Sequence, residues 1–214
     1  DIVTYNTLID GFCKAGEIEE AILLRDEMIT KSVLPNLITY SILINGFCSR
    51  GFISDALRLW EKMVDTRIQP SLVTCNSLIK GYCRHGETEK ACQFLGQMRS
   101  QGVFPDCFTY NTLINGYIKE ENMDKAFDLL SEMENQGLSP NVITYNVMLD
   151  GFCKLGRMQE ANMLYRKMSG RGINPDRATY TSLINGHVSL DNFKEAAWFH
   201  DEMLQRGFMP DDKF

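Results

Sequence analysis

Apolar residues in this chain recur in short stripes with helical spacing, and the stripes themselves recur. Tyr5, Leu8, Ile9 and Phe12 stand at i, i+3, i+4 and i+7, one face of a helix. The same slots read Tyr40, Leu43, Ile44, Phe47 and, further on, Tyr110, Leu113, Ile114, Tyr117. After a short break comes a second stripe, Ile18, Ala21, Leu24, Met28, echoed by Ile53, Ala56, Leu59, Met63 and by Phe193, Ala196, Phe199, Met203. The alanine is small where helices cross, and the methionine fills irregular space. The breaks carry Gly16, Gly51, Gly86 and Gly156, replaced by Glu121 and Asp191. Each pair of stripes closes on a loop such as Gly102-Val103-Phe104-Pro105, where proline stops a helix.

The period of this pattern is 35 residues and does not slip. Tyr5, Tyr40, Cys75, Tyr110, Tyr145 and Tyr180 mark it, as do Pro35, Pro70, Pro105, Pro140, Pro175 and Pro210, the six prolines of the chain. A fixed period of this length is the signature of a solenoid, in which each unit buries its apolar face only against its neighbours. The expected architecture is all-α: one array of six helix-turn-helix repeats over residues 2–36, 37–71, 72–106, 107–141, 142–176 and 177–211, with 212–214 opening a truncated seventh. Ends cut inside the pattern are expected to leave apolar stripe residues uncovered, so self-association of this fragment is expected. Thr4, Thr39, Thr74, Thr109, Thr144 and Thr179 precede the first stripes and read as N-caps. Glycine inside each first stripe (Gly11, Gly46, Gly81, Gly116, Gly151, Gly186) costs about 1 kcal/mol against alanine, so its return predicts a close helix–helix approach.

Seven cysteines raise the question of a disulfide or zinc framework. Cys13, Cys48, Cys83 and Cys153 share one register, filled elsewhere by Ile118 and Val188, which points to an apolar core slot of reduced thiols. Cys83, His85 and Cys92 match no zinc spacing, so no metal is expected. No apolar run approaches the roughly 18 residues of a membrane span. The net charge of −6 is unevenly spread: the first helices carry +3, the second helices −5 and the remainder −4. Lys14, Arg84, Lys119 and Lys154 share one register at the end of the first helix. Two readings stand: a row of cations that tracks a phosphate backbone, or bases that favour helix C-termini.

Thr-Tyr-Asn-Thr-Leu-Ile-Asp-Gly-Phe-Cys-Lys-Ala-Gly at 4–16, the Glu-Ala and Met of the second stripe, and the proline that closes each 35 resemble the pentatricopeptide repeat. The match spans the chain, and its uniform length is similar to the P-type class. The resemblance implies a right-handed superhelical α-solenoid that binds single-stranded RNA, one base per repeat, without cofactor or chemistry. It also implies a role in RNA processing, stability or translation in mitochondria or chloroplasts of plants. The residue after the tyrosine and the residue after the closing proline would face the base edge. These pairs are Asn6 with Asn36, Ser41 with Ser71, Asn76 with Asp106, Asn111 with Asn141, Asn146 with Asp176, and Thr181 with Asp211. Val3, Ile38, Val73, Phe108, Ile143 and Ala178 would sandwich the bases, Phe108 most strongly and Ala178 least.

Chemistry supports these assignments on its own terms. A carboxylate only accepts hydrogen bonds, so Asp106, Asp176 and Asp211 suit uracil or guanine; an amide also donates, so Asn36 and Asn141 suit cytosine or adenine. With the family's preference of Asn for pyrimidines and Ser or Thr for purines, the expected strand is 5′-CAUCUG-3′. The same residues are also ordinary cap and turn residues. A protein-binding scaffold of the tetratricopeptide kind is the alternative, though it would not need two polar slots varying inside nearly constant surroundings. No nucleophile, base and orienting group recur in one cleft, which argues against an enzyme. Cys75 in place of tyrosine and His187 in place of Phe or Tyr are expected to loosen packing in the third and sixth units.

Overall fold

The computed structural model describes residues 1–209. Within them lie twelve α-helices and no strand: α1 (Ile2–Ala15), α2 (Ile18–Thr30), α3 (Leu37–Ser49), α4 (Ile53–Asp65), α5 (Leu72–Arg84), α6 (Thr88–Ser100), α7 (Cys107–Lys119), α8 (Met123–Asn135), α9 (Val142–Lys154), α10 (Met158–Gly170), α11 (Arg177–Ser189) and α12 (Phe193–Gln205). The fold is the all-α array of six helix-turn-helix repeats that the period predicts. The chain divides into two compact units, Asp1–Leu113 and Ile114–Phe214, the division falling within the residues of α7. In the first, α1, α3 and α5 pack side by side, with α2, α4 and α6 each against its own partner. In the second, α9 packs on α11, with α10 and α12 flanking them.

Helix starts correct one expectation. The N-cap of α3, α9 and α11 is Asn36, Asn141 or Asp176, in extended backbone, and its side chain accepts the N–H of the threonine three residues on. Ser71 does the same for Thr74, and Asp106 for Thr109 at 2.9 Å. The threonine is therefore the third helical residue, and its hydroxyl accepts the cap's own N–H to complete a capping box. A cap must sit outside the helix with a side chain short enough to bend back, and the residue after proline meets both conditions.

The recurrent glycines mark where first helices touch. A Cβ at Gly46 would lie 2.6 Å from Cys13 Sγ, at Gly151 2.5 Å from Ile118 Cγ2, and at Gly186 2.8 Å from Cys153 Cβ. The thiol register of one repeat thus fills the glycine slot of the next. Burial pushes the Cys13 thiol up to about 11 and those of Cys48 and Cys153 up to about 12, so they remain unreactive thiols in the core.

Neither irregular repeat is loosely packed. Cys75 is fully buried, and Trp60, also buried, meets Phe94 edge-on at 5.0 Å. His187 is 1% exposed, stacks on Phe199 and pairs its ring nitrogens with Asn162 at 3.2 Å and Asn192 at 3.3 Å. The polar partners of His187 come from α10 and from the residue that precedes α12.

The break between paired helices requires a left-handed residue, with φ of 89° at Gly16 and 87° at Gly51. Glu121 adopts 57° at the same slot, a conformation a side chain disfavours. Glu121→Gly should raise stability by about 0.5–1 kcal/mol, read as a higher urea midpoint at unchanged slope. Burial lowers the His187 pKa below its usual 6.5, so the unfolded chain takes up a proton there before the folded one does. Its contribution to stability is therefore complete above the unfolded value and is lost as pH falls through the folded one. Melting temperature should drop as pH falls from 7 toward 5.5, and His187→Phe should flatten that portion of the profile.

Candidate nucleic-acid interface

At four junctions the cap positions bring the sequence-nominated pairs together, because the threonine at the cap also reaches back one repeat. Thr39 Oγ1 lies 2.7 Å from Asn6 Oδ1, Thr109 Oγ1 2.7 Å from Asn76 Oδ1, and Thr179 Oγ1 2.6 Å from Asn146 Oδ1. Asn146 Nδ2 donates directly to Asp176 Oδ1 at 2.9 Å, and Asn6 Nδ2 reaches Asn36 Oδ1 at 3.5 Å. Ser41 and Ser71 meet through Thr74, whose hydroxyl stands 2.7 Å from one and 2.9 Å from the other. Asn111 and Asn141 belong to different units: Asn111 is partly buried with its Oδ1 unpartnered, and Asn141 caps α9. Thr181 is half-buried and donates to Arg177 O at 2.9 Å, while Asp211 lies outside the described residues.

Where the second slot holds an amide or a carboxylate, capping engages one side-chain oxygen. Asn36 Oδ1 accepts from the Thr39 N–H, which leaves the Asn36 Nδ2 hydrogens as donors. Asp176 Oδ1 accepts from the Thr179 N–H, and the carboxylate, which carries no hydrogen when ionised, offers only lone pairs. Burial raises the Asp176 carboxyl, but hydrogen bonds from Thr179 and Asn146 outweigh it and hold the group below the usual range. The acceptor is therefore an anion at neutral pH.

Beside these pairs stand bare apolar side chains. In the first unit Val3, Ile38, Val73 and Phe108 are 54–72% exposed, and in the second Ile143 is 58% exposed, with Ala178 also on the surface. Each is on the first helix, close to the capped end, where burial in the helix pair would be expected of a core residue. Exposed flat or branched apolar groups next to unspent polar atoms suit a planar ligand with a polar edge.

The basic row is less uniform than its register suggests. Lys14, Arg84, Lys119 and Lys154 are all exposed, but Lys14 is bound to Asp10 and Lys154 to Asp150, each at 2.6 Å one turn away. Arg84 and Lys119 have Lys80 and Asn115 in place of that aspartate. Arg84 in the first unit and Lys119 in the second thus lack that acidic partner, a difference that the aspartate register could have revealed.

Models of the PPR repeat family match residues 1–49, 70–117, 105–154 and 140–189, and those of the PPR repeat match 38–68 and 178–208. The chain belongs to the pentatricopeptide repeat family. Among solved structures it is similar to the maize pentatricopeptide repeat protein PPR10, at a TM-score of 0.80 and 27% identity over 96% of this chain and 29% of that one. PPR10 in complex with an 18-nt psaJ RNA element matches at 0.77 and 27% identity over 93% of this chain and 29% of that one. The PPR domain of Arabidopsis thaliana protein-only RNase P 1, solved with tRNA, shares the fold at a TM-score of 0.61 and 18% identity, over 79% of this chain and 89% of that one. The chain spans less than a third of the PPR10 chain. No curated protein sequence matches it.

Proposed function

We propose that this pentatricopeptide array binds single-stranded RNA, one base per repeat, and acts by occupancy on an organellar transcript. The observation that carries this reading is the shared cap: Asn36 and Asp176 stand in equivalent positions, each with Oδ1 bound to the helix start, and differ in what they offer, amide donors in one and an anionic acceptor in the other. A residue present only to cap a helix would have no use for that alternation. The likeness to PPR10, solved with RNA, supports the polymer class.

Cytosine N3 accepts from the Asn36 amide, and uracil N3–H donates to Asp106 or Asp176. The apolar side chains Val3, Ile38, Val73, Phe108, Ile143 and Ala178 hold the bases between successive repeats, and Arg84 and Lys119 meet phosphates. The strand that complements these pairs is 5′-CAUCUG-3′. Mitochondrial or chloroplast location belongs to the same proposal and rests on the family.

In a fluorescence anisotropy titration, the matched strand should bind more tightly than a scrambled one of the same composition. Equal affinity for both would overturn the reading in favour of a protein-binding scaffold. Asp106→Asn should move the third base from U toward C by about tenfold, since a charge-assisted bond is exchanged for a donor. Lys119→Ala should weaken all strands alike and flatten the salt dependence by roughly one unit of slope. Lys14→Ala, removing a cation already held by Asp10, should change that slope less.

A further inference from the structure

The buried threonine at each junction has a role the base-reading proposal leaves unassigned. Thr39, Thr109 and Thr179 are fully inaccessible to solvent and cannot touch a ligand, yet each contacts both members of a nominated pair. A hydroxyl has one hydrogen, and where that hydrogen goes decides what its neighbours can offer.

The backbone N–H of the cap residue lies 3.2 Å from Thr39 Oγ1, 3.2 Å from Thr109 Oγ1 and 3.1 Å from Thr179 Oγ1. That group can only donate, so the hydroxyl accepts there and its own hydrogen must find another oxygen. The nearer oxygen in all three cases belongs to the asparagine of the preceding repeat: 2.7 against 3.2 Å at Thr39, 2.7 against 2.8 Å at Thr109, and 2.6 against 3.0 Å at Thr179. The cap oxygen is also already occupied by the threonine N–H. Donation from threonine identifies the contacting asparagine atom as Oδ1. The opposite flip would set Asn146 Oδ1 against the Asp176 carboxylate at the 2.9 Å now spanned by Nδ2. Two oxygens with lone pairs facing would repel.

With Oδ1 committed, the asparagine has only amide hydrogens left to offer. The hydroxyl readers differ: Ser41 Oγ lies 2.7 Å from Leu37 O and Thr181 Oγ1 2.9 Å from Arg177 O, so their hydrogen is spent on their own helix. The first, third and fifth repeats therefore present an N–H, and the serine and threonine repeats do not. Both pyrimidines carry a carbonyl, O2, at one end of the Watson–Crick edge; at the same place adenine has a carbon and guanine an amino donor. An N–H held toward that place accepts pyrimidines and rejects purines.

We propose that Thr39, Thr109 and Thr179 are positioning residues that set the pyrimidine preference of the preceding repeat by locking its asparagine with the amide N–H outward. This rests on the base-reading role proposed above. The test is Thr109→Val, which keeps the shape and removes the hydroxyl, titrated against four RNAs that differ only at the third base. In the unaltered protein U and C should exceed A and G by about tenfold, and in T109V the gap should close to within about twofold, because Asn76 is no longer held in one orientation. Preference at the first and fifth bases should persist, and Thr109→Ser should restore the third.

A T109V protein that keeps its pyrimidine preference, or that loses affinity equally for all four strands, overturns the positioning role while base reading stands. An unaltered protein that fails to separate the four strands overturns base reading itself. Circular dichroism melting shows whether T109V is folded; if it is not, Thr39→Val read at the first base decides the question by the same criteria.

Discussion

Each first helix after α1 begins on a side-chain oxygen that accepts a backbone N–H three residues on, and the described interface is built around that bond. The first turn of a helix has N–H groups with no internal partner, and a cap of this kind is worth about 1 kcal/mol. Here the capping residue follows proline directly, so the same short segment ends one repeat, starts the next helix and places a polar atom on the surface. Because the threonine of the capping box also bonds the preceding repeat, helix start and repeat stacking are one hydrogen-bonded unit in the Asn6, Asn76 and Asn146 junctions. The polar pair is thereby held by the fold before any ligand arrives, which lowers the ordering cost of binding.

Packing between first helices follows one rule, a knob from one repeat into the glycine slot of the next. Cys13 into Gly46, Ile118 into Gly151 and Cys153 into Gly186 repeat the same contact with different side chains. The slot tolerates thiol or branched aliphatic knobs because only size and apolarity matter there. A polar departure is absorbed sideways: His187 is bonded through its ring nitrogens to Asn162 and Asn192. A dense interior permits such exchanges when volume and hydrogen bonding are both restored.

Charge is arranged more locally than the net −6 implies. The i,i+4 pairs of Lys14 with Asp10 and Lys154 with Asp150 neutralise two members of the basic register, and exposed pairs of this kind add little stability. Their effect is rather to remove positive potential from the repeats that contain them.

The sequence by itself determined the number of repeats, the helices, the close approach at glycine and the core stripes apart from Leu8 and Phe193, which are exposed. All of these depend on local spacing, which a 35-residue period displays six times over. It also carried the Asp10–Lys14 spacing, although a reading by columns of like residues passes over a partner four positions away. Only the tertiary structure decided which atom of Asn36 or Asp176 is spent on the helix start, that the threonine is not the cap, and that its hydroxyl reaches Asn6, Asn76 and Asn146 some 33 residues away. Those facts depend on where a single hydrogen points among three or four oxygens brought together from two repeats. Residue type names the groups that can donate and accept, and only their positions in space select the partners.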